Sequence, residues 1–214
     1  PESGALRRDG AARACRGGCD FVADMMRIDT VTPPTTEPVT RAEAKLHASF
    51  DGTDLDSRFD RWITQAREHA EHLTEAAFAR KTLKLSANDF PSGAIVLPYP
   101  PCISVTHVKY IDTAGVLQTL DSALYQLRIG RNAAWVEPVY GQTWPATLGY
   151  GDALQVTWVA GFAQADCPAA VKGWIEAVVA AMCAQREILA QSDRVPKSVQ
   201  FLDGLLDAYK VWGV

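Results

Sequence analysis

The sequence predicts an α+β chain, mainly α: a helical bundle of about four helices, with a small antiparallel β-rich unit inserted between the second and third. Three observations carry this expectation. Apolar residues step by three or four over residues 55–77 and again from residue 168 onward. Between those stretches, residues 80–162 hold short runs rich in β-branched and aromatic residues. Clusters of Gly, Pro, Asn and Asp separate the runs.

Taken in order, PESGALRRDGAARACRGGC is basic but has no apolar h-region, so residues 1–25 read as an unstructured extension and not as a secretory signal. The prolines of VTPPTTEPVT favour an extended arm. Thr40 with Glu43 three residues on is a capping box, opening a short helix that runs to about Ser49. DGTD breaks it at Gly52. A longer helix follows, with Leu55, Phe59, Trp62, Ile63, Ala66, Ala70, Leu73 and Ala77 on one stripe. Its other residues, including Arg67, Glu68 and Glu71, read as a solvated face of mixed charge.

From residue 80 the period changes to two. KTLKL, AIVL, ISVTHVKYI, VLQTL, LYQLRI, AAWVEP and ALQVTWVAGF are the expected strands. The clearest hairpin joins ISVTHVKYI to VLQTL through DTAG, with Gly115 suited to a positive φ. Helical periodicity returns with Pro168 at the first helical position and Val171, Trp174, Ile175, Val178, Val179 and Met182 in a stripe. SDRVPKS interrupts it, and SVQFLDGLLDAYKVW predicts a last helix. The expected domains are an N-terminal extension (1–25), an arm with helices (26–79), a β-rich insert (80–162) and C-terminal helices (163–214) packed on residues 40–79.

Composition narrows the function classes. Of 214 residues, 48% are hydrophobic and 21% charged, a globular balance. The formal net charge of −4 disfavours a protein that wraps nucleic-acid phosphates. No run approaches the roughly 18 apolar residues of a spanning helix, so no membrane partner is expected. Five cysteines (15, 19, 102, 167 and 183) form no zinc spacing, and the last three lie in apolar contexts.

Catalytic, metal-binding and cofactor constellations are not expected. His69 and His72 lie within EHAEH, which is not H-E-x-x-H and reads as a charged helix face. His107 alternates in a strand and reads as a solvent-facing position. No G-x-S-x-G or phosphate loop occurs. The one unusual concentration is aromatic: Trp135, Tyr140, Trp144, Tyr150 and Trp158. These residues are either the scaffold of the β unit or a partner surface. Trp158, in a strand, favours core, whereas Trp144, before a proline in a loop, leaves both readings open.

Five segments, in order, resemble a known family. TRAEAKLH opens the first helix, and DLDSRFDRWITQAREHAEHLT is similar to the family's long helix with its A-R-E. FPSGAIVLPYPPCISVTHVKYIDTAGVLQTL and WVEPVYGQTWPATLGYGDALQVTWVAGF resemble its central strands, and CPAAVKGWIEAVVAAMCAQREIL its next helix. The family is the head–tail connector (adaptor, or head-completion) proteins of long-tailed phages and gene transfer agents. The likeness spans about residues 26–190; Cys167 stands where the family usually has Val, and the N-terminal extension has no counterpart.

The resemblance implies a structural, non-enzymatic virion protein with no cofactor, assembled in the host cytoplasm and located in the particle neck. It implies a homo-oligomeric ring of twelve beneath the portal protein, meeting a tail-side stopper or tail-completion protein. DNA would pass through its channel without sequence-specific binding. C-terminal elements engage the portal in this family, which nominates Phe201, Leu202, Leu205, Tyr209 and Trp212. The competing reading is a carbohydrate- or ligand-binding β-module with helical flanks, in which Trp144 and Tyr150 are exposed; a hydrolase with a dispersed active site is a third.

Overall fold

The computed structural model describes residues 26–130, 133–184 and 204–211. These residues form eight strands and three α-helices, so the expectation of a mainly helical four-helix bundle is overturned. The strands are β1 (Arg27–Thr32), β2 (Lys81–Ala87), β3 (Ile95–Leu97), β4 (Cys102–Ile111), β5 (Leu117–Thr119), β6 (Tyr125–Ile129), β7 (Ala134–Pro138) and β8 (Leu154–Ala160). The helices are α1 (Arg41–His47), α2 (Asp56–Thr74) and α3 (Ala169–Ala184).

Two differences move the balance from helix to strand. The first is the N-terminal arm, whose start is a strand: β1 pairs antiparallel with β2, Ile28 opposite Leu85. The second is the C-terminus. Residues 204–211 form turns and a short 3-10 turn (Asp207–Tyr209), not an α-helix. The rest of the expected last helix, and residues 1–25, lie outside the described residues.

All strand pairing is antiparallel, in a five-stranded sheet of order β1-β2-β8-β4-β5 and a three-stranded sheet of order β3-β7-β6. The period-two pattern explains which faces meet. In β2, Leu83, Leu85 and Ala87 turn inward, opposite Trp158, Val156 and Leu154 of β8. From the second sheet come Ile95, Leu97, Ala134 and Val136, all buried. These residues make one inter-sheet core with Trp158 fully enclosed. Lys84, Thr157 and His107 share one cross-strand row on the opposite, polar face of the larger sheet.

The helices build a second core at one end of the sheets. Phe59, Ile63, Ala66 and Ala70 of α2 pack with Val171, Trp174, Ile175 and Val179 of α3 and Ala44 of α1. The capping box read from sequence is present: Thr40 Oγ1 accepts from the Glu43 amide, and the Glu43 carboxylate accepts from the Thr40 amide at 2.7 Å. α2 stops at Thr74, sooner than its apolar stripe suggests, because Glu75 adopts a left-handed conformation at φ 54°. In α3 the Pro168 carbonyl accepts the first amides, from Val171 and Lys172, so the proline is the cap and the helix begins one residue later.

The chain after α2 serves both cores. Ala76 and Phe78 turn into the helical core and Ala77 into the sheet core. Two backbone bonds tie this junction to the proline turn: Ala77 N–H to Pro100 O (2.8 Å) and Gly161 N–H to Pro101 O (2.9 Å). Gly161 has φ +96°, and a Cβ there would lie 2.2 Å from the Ala79 carbonyl oxygen, so no other residue fits this crossing.

The expected solvated face of α2 is corrected at two positions. Arg67 and Glu71 are only 4% and 5% exposed. The Glu71 carboxylate accepts from Arg67 Nη1 (2.8 Å), Lys81 Nζ (3.0 Å) and the Phe78 amide (2.8 Å). Arg67 Nε also donates to Glu37 of the arm at 2.8 Å. Helical periodicity places these residues beside the apolar stripe, and the arm and the residue 76–81 link then fold over them.

Candidate functional site: partner surfaces

The five aromatic residues singled out in the β unit separate into three environments. Trp158 is core, fully buried between the sheets. Trp144 is half-buried: its ring stacks on Phe90 at 4.8 Å and 12°, and its Nε1–H donates to the Gly93 carbonyl at 2.8 Å. Phe90 in turn meets Tyr110 edge-on at 5.9 Å. One face of Trp144 is therefore occupied by its own chain, and the residue pins loop 139–153 to loop 88–94. Trp135, Tyr140 and Tyr150 are exposed, Tyr140 completely and Tyr150 at 75%.

Tyr150 stands on a tight loop whose backbone explains its exposure. Gly149 and Gly151 flank it, both at φ +70°, and Asp152 follows at φ 58°. The loop is anchored where Leu148 N–H donates to Ile111 O at 3.0 Å and Thr147 bridges to Asp112. Thr147 Oγ1 also donates to Asp89 at 2.7 Å. The facing hairpin turn is equally fixed, with Asp112 Oδ1 accepting from the amides of Ala114 and Val116, both at 2.9 Å. That hydrogen bonding holds the Asp112 carboxyl below its ordinary pKa, with the Val116 amide and Gln118 the largest causes. Gly115 has φ +80°, as the DTAG turn predicts.

Of the C-terminal residues, Leu205 and Tyr209 fall within the described segment, whereas Phe201, Leu202 and Trp212 lie outside the described residues. Leu205 is exposed. Tyr209 packs edge-on against Phe78 at 6.1 Å, beside a crevice of about 180 Å³ that Pro100, Pro101 and Phe162 help to line. Leu206, within the expected last helix, is fully buried in the helical core. Val211 N–H donates to Thr74 O at 2.9 Å, closing the segment onto the end of α2.

The titratable residues are placed as follows. His107 lies on the polar sheet face with its pKa lowered by burial and then by Lys109. His69 stands 5.8 Å from the Trp174 ring, and His72 is exposed. Among the described residues no group of three or more His, Cys, Asp or Glu is placed to hold a metal ion. A groove of about 630 Å³ runs between the arm, α1 and α2. Its charges are used internally, Arg41 on Asp56 and Asp60, Lys45 on Asp56, and Glu37 on Arg67.

Fold and surface together define a class: an α+β fold of two antiparallel sheets with a separate helical core, whose loops expose aromatic and aliphatic side chains. The same fold occurs in solved structures, of which three are described. A chain in the virion of a native gene transfer agent (GTA) particle aligns with a TM-score of 0.71 at 18% identity, over 87% of this chain and 96% of that one. A chain in the neck of an empty GTA particle computed with C6 symmetry gives 0.71 and 18%, over 88% and 97%. A chain in the neck of a native GTA particle computed with C12 symmetry gives 0.65 and 21%, over 89% and 97%. No family model matches the chain, and no curated protein matches it. At these identities the likeness establishes the fold.

Proposed function

We propose that this chain is a structural protein of the neck of a phage-like or gene-transfer-agent particle, acting as a head–tail adaptor. The observation that carries the reading is the fold likeness to chains of GTA particles and their necks, which runs from end to end of those chains. The match covers 96–97% of the neighbours' length, so it concerns the whole fold and not a shared module, which supports the reading.

In this reading copies of the chain form a ring that continues the DNA channel between portal and tail, with a portal protein on one side and a stopper or tail-completion protein on the other. A ring is built from heterologous contacts that close, which needs rigid surfaces in a fixed relation. The junction at Gly161 and the pinned loops at Trp144 supply that rigidity. Leu205 and Tyr209 are the proposed portal contacts among the described residues, and the chain works without catalysis or cofactor.

Quantitative mass spectrometry of purified particles tests this. The chain is expected at about one copy per portal subunit; its absence from intact particles, while abundant in the cell, rejects the reading.

A further inference from the structure

Where the two cores meet, the chain leaves an apolar crevice. Ala76, Phe78, Pro100, Pro101, Phe162 and Tyr209 line about 180 Å³ of space there. Ala76, Phe78, Phe162 and Tyr209 belong to the helical core, and the proline turn is bonded to the link that joins it to the sheets. None of the described residues lining the crevice carries a charge, and their one polar side-chain group is the Tyr209 hydroxyl. An apolar cavity of about 150 Å³ stays dry and takes up a benzene ring. A crevice of this size and lining therefore suits one aromatic side chain and no charged one.

The backbone leading to such a side chain is already fixed beside it. Leu206 is buried in the helical core, Tyr209 packs on Phe78 at 6.1 Å, and Lys210 pairs with Asp207 at 2.6 Å. Val211 N–H donates at 2.9 Å to the carbonyl of Thr74, two residues before the crevice residue Ala76. The next residue is Trp212, whose Cα follows that of Val211 by about 3.8 Å. Of residues 212–214, which lie outside the described ones, only Trp212 carries a ring. Phe201 and Leu202 approach from the opposite end of the segment, beyond Leu206.

We propose that the crevice is the seat of Trp212 of the same chain, which folds back onto Phe78, Phe162 and the proline turn. The contact clasps the C-terminal segment to the junction of the two cores. Apolar burial drives it. The cost of ordering is small, because the residues before Trp212 are held whether or not the ring is seated. A ring held there is withdrawn from solvent, so a partner that used Trp212 as an anchor would first have to lift it out. The inference goes beyond the neck reading and does not depend on it.

The test uses the full chain and two variants, Trp212→Phe and Trp212→Ala, each checked for a native circular dichroism spectrum. Emission of the parent minus that of Trp212→Phe isolates one of the six tryptophans. This emission is expected to be blue-shifted and shielded from acrylamide, to lose both properties in urea, and to keep them on dilution. Trp212→Ala vacates the crevice and should bind indole with a Kd of about 1 mM or below. Intermolecular NOEs should then run from indole to the Phe78 and Phe162 rings, whereas the parent should take up no indole.

Solvent-like, readily quenched Trp212 emission in the native chain overturns the proposal. So does indole binding by the parent equal to that of Trp212→Ala, which shows the crevice open. Shielding that fades on dilution places the ring in a second copy. A folded Trp212→Ala chain that takes up no indole shows that another segment fills the crevice; either result also overturns the proposal. If Trp212→Ala does not fold, the emission of Trp212 decides by itself.

Discussion

Gly161 shows how much a single position can decide. Its φ of +96° and the Ala79 carbonyl 2.2 Å from where a Cβ would be add backbone strain to a clash with a main-chain atom that cannot swing aside. Gly161→Ala is therefore expected to destabilise the fold by at least about 2 kcal/mol in urea titration. Sequence alone points to Gly115, because DTAG between two strands has turn chemistry of its own. Gly161 ends a strand with no local signal, since its requirement comes from a residue about eighty positions earlier. Cysteine burial was legible from context, and its consequence is chemical. Burial pushes the Cys102 and Cys167 thiols up to about 11. The reactive thiolate is the deprotonated form, so at pH 8 both are overwhelmingly protonated in the folded chain. Mass-mapped alkylation at pH 8 should leave both unmodified in native protein and label both in denaturant; fast native labelling of either would contradict their placement.

For elements, the sequence is most informative where the signal is local. The Thr40–Glu43 box, the alternation of β2 and β8 and the stripe of α3 all depend on neighbours within a few residues. β1 was missed because an edge strand is defined by its partner, and β2 lies some fifty residues away. RIDTVT contributes little buried area, so its composition resembles an arm. The Arg67–Glu71 pair was misplaced for a related reason: periodicity gives a helix's faces but not which further segments cover them. The four-group cluster Glu37, Arg67, Glu71 and Lys81 links the arm, α2 and β2. Glu71→Ala removes one acceptor from buried Arg67, which keeps Glu37, and leaves half-buried Lys81 and the Phe78 amide without theirs; it is expected to cost about 3 kcal/mol. Glu71→Gln, which keeps an acceptor for the amide, should fall between that variant and the parent in the same denaturation assay.

At the scale of the whole molecule, the order of elements from α1 to α3 was legible, whereas the first strand, the C-terminal segment and the weight of helix against strand were not. The helical periodicity of SVQFLDGLLDAYKVW counts local propensity, whereas residues 204–211 are held by tertiary contacts, with Leu206 buried under the helical core and Val211 bonded to Thr74. Of the aromatic residues, Trp158 was readable as core, but Trp144 needed its partner Phe90 to be seen before its role as a pin was clear. The C-terminal segment therefore has two jobs that point variants can separate. Leu206→Ala should destabilise the fold by about 2–5 kcal/mol. Leu205→Ala should leave the unfolding curve unchanged; if Leu205 contacts the portal, that variant weakens portal binding in a pull-down with purified portal protein. Deleting the segment would confound the two.

The junction between the cores has a mechanical consequence. Among the described residues the chain passes between them three times, along residues 32–40, 74–81 and 160–167, and the proline turn is bonded to two of those passages through Pro100 and Pro101. A pull along the molecule's length is shared by three covalent tethers in parallel, so no single tether bears it as a hinge. A chain tied in this way is expected to behave under load as a stiff strut from its helical core to its sheets. Under load it should yield first within a sheet edge such as β1, leaving the weld between its two halves intact.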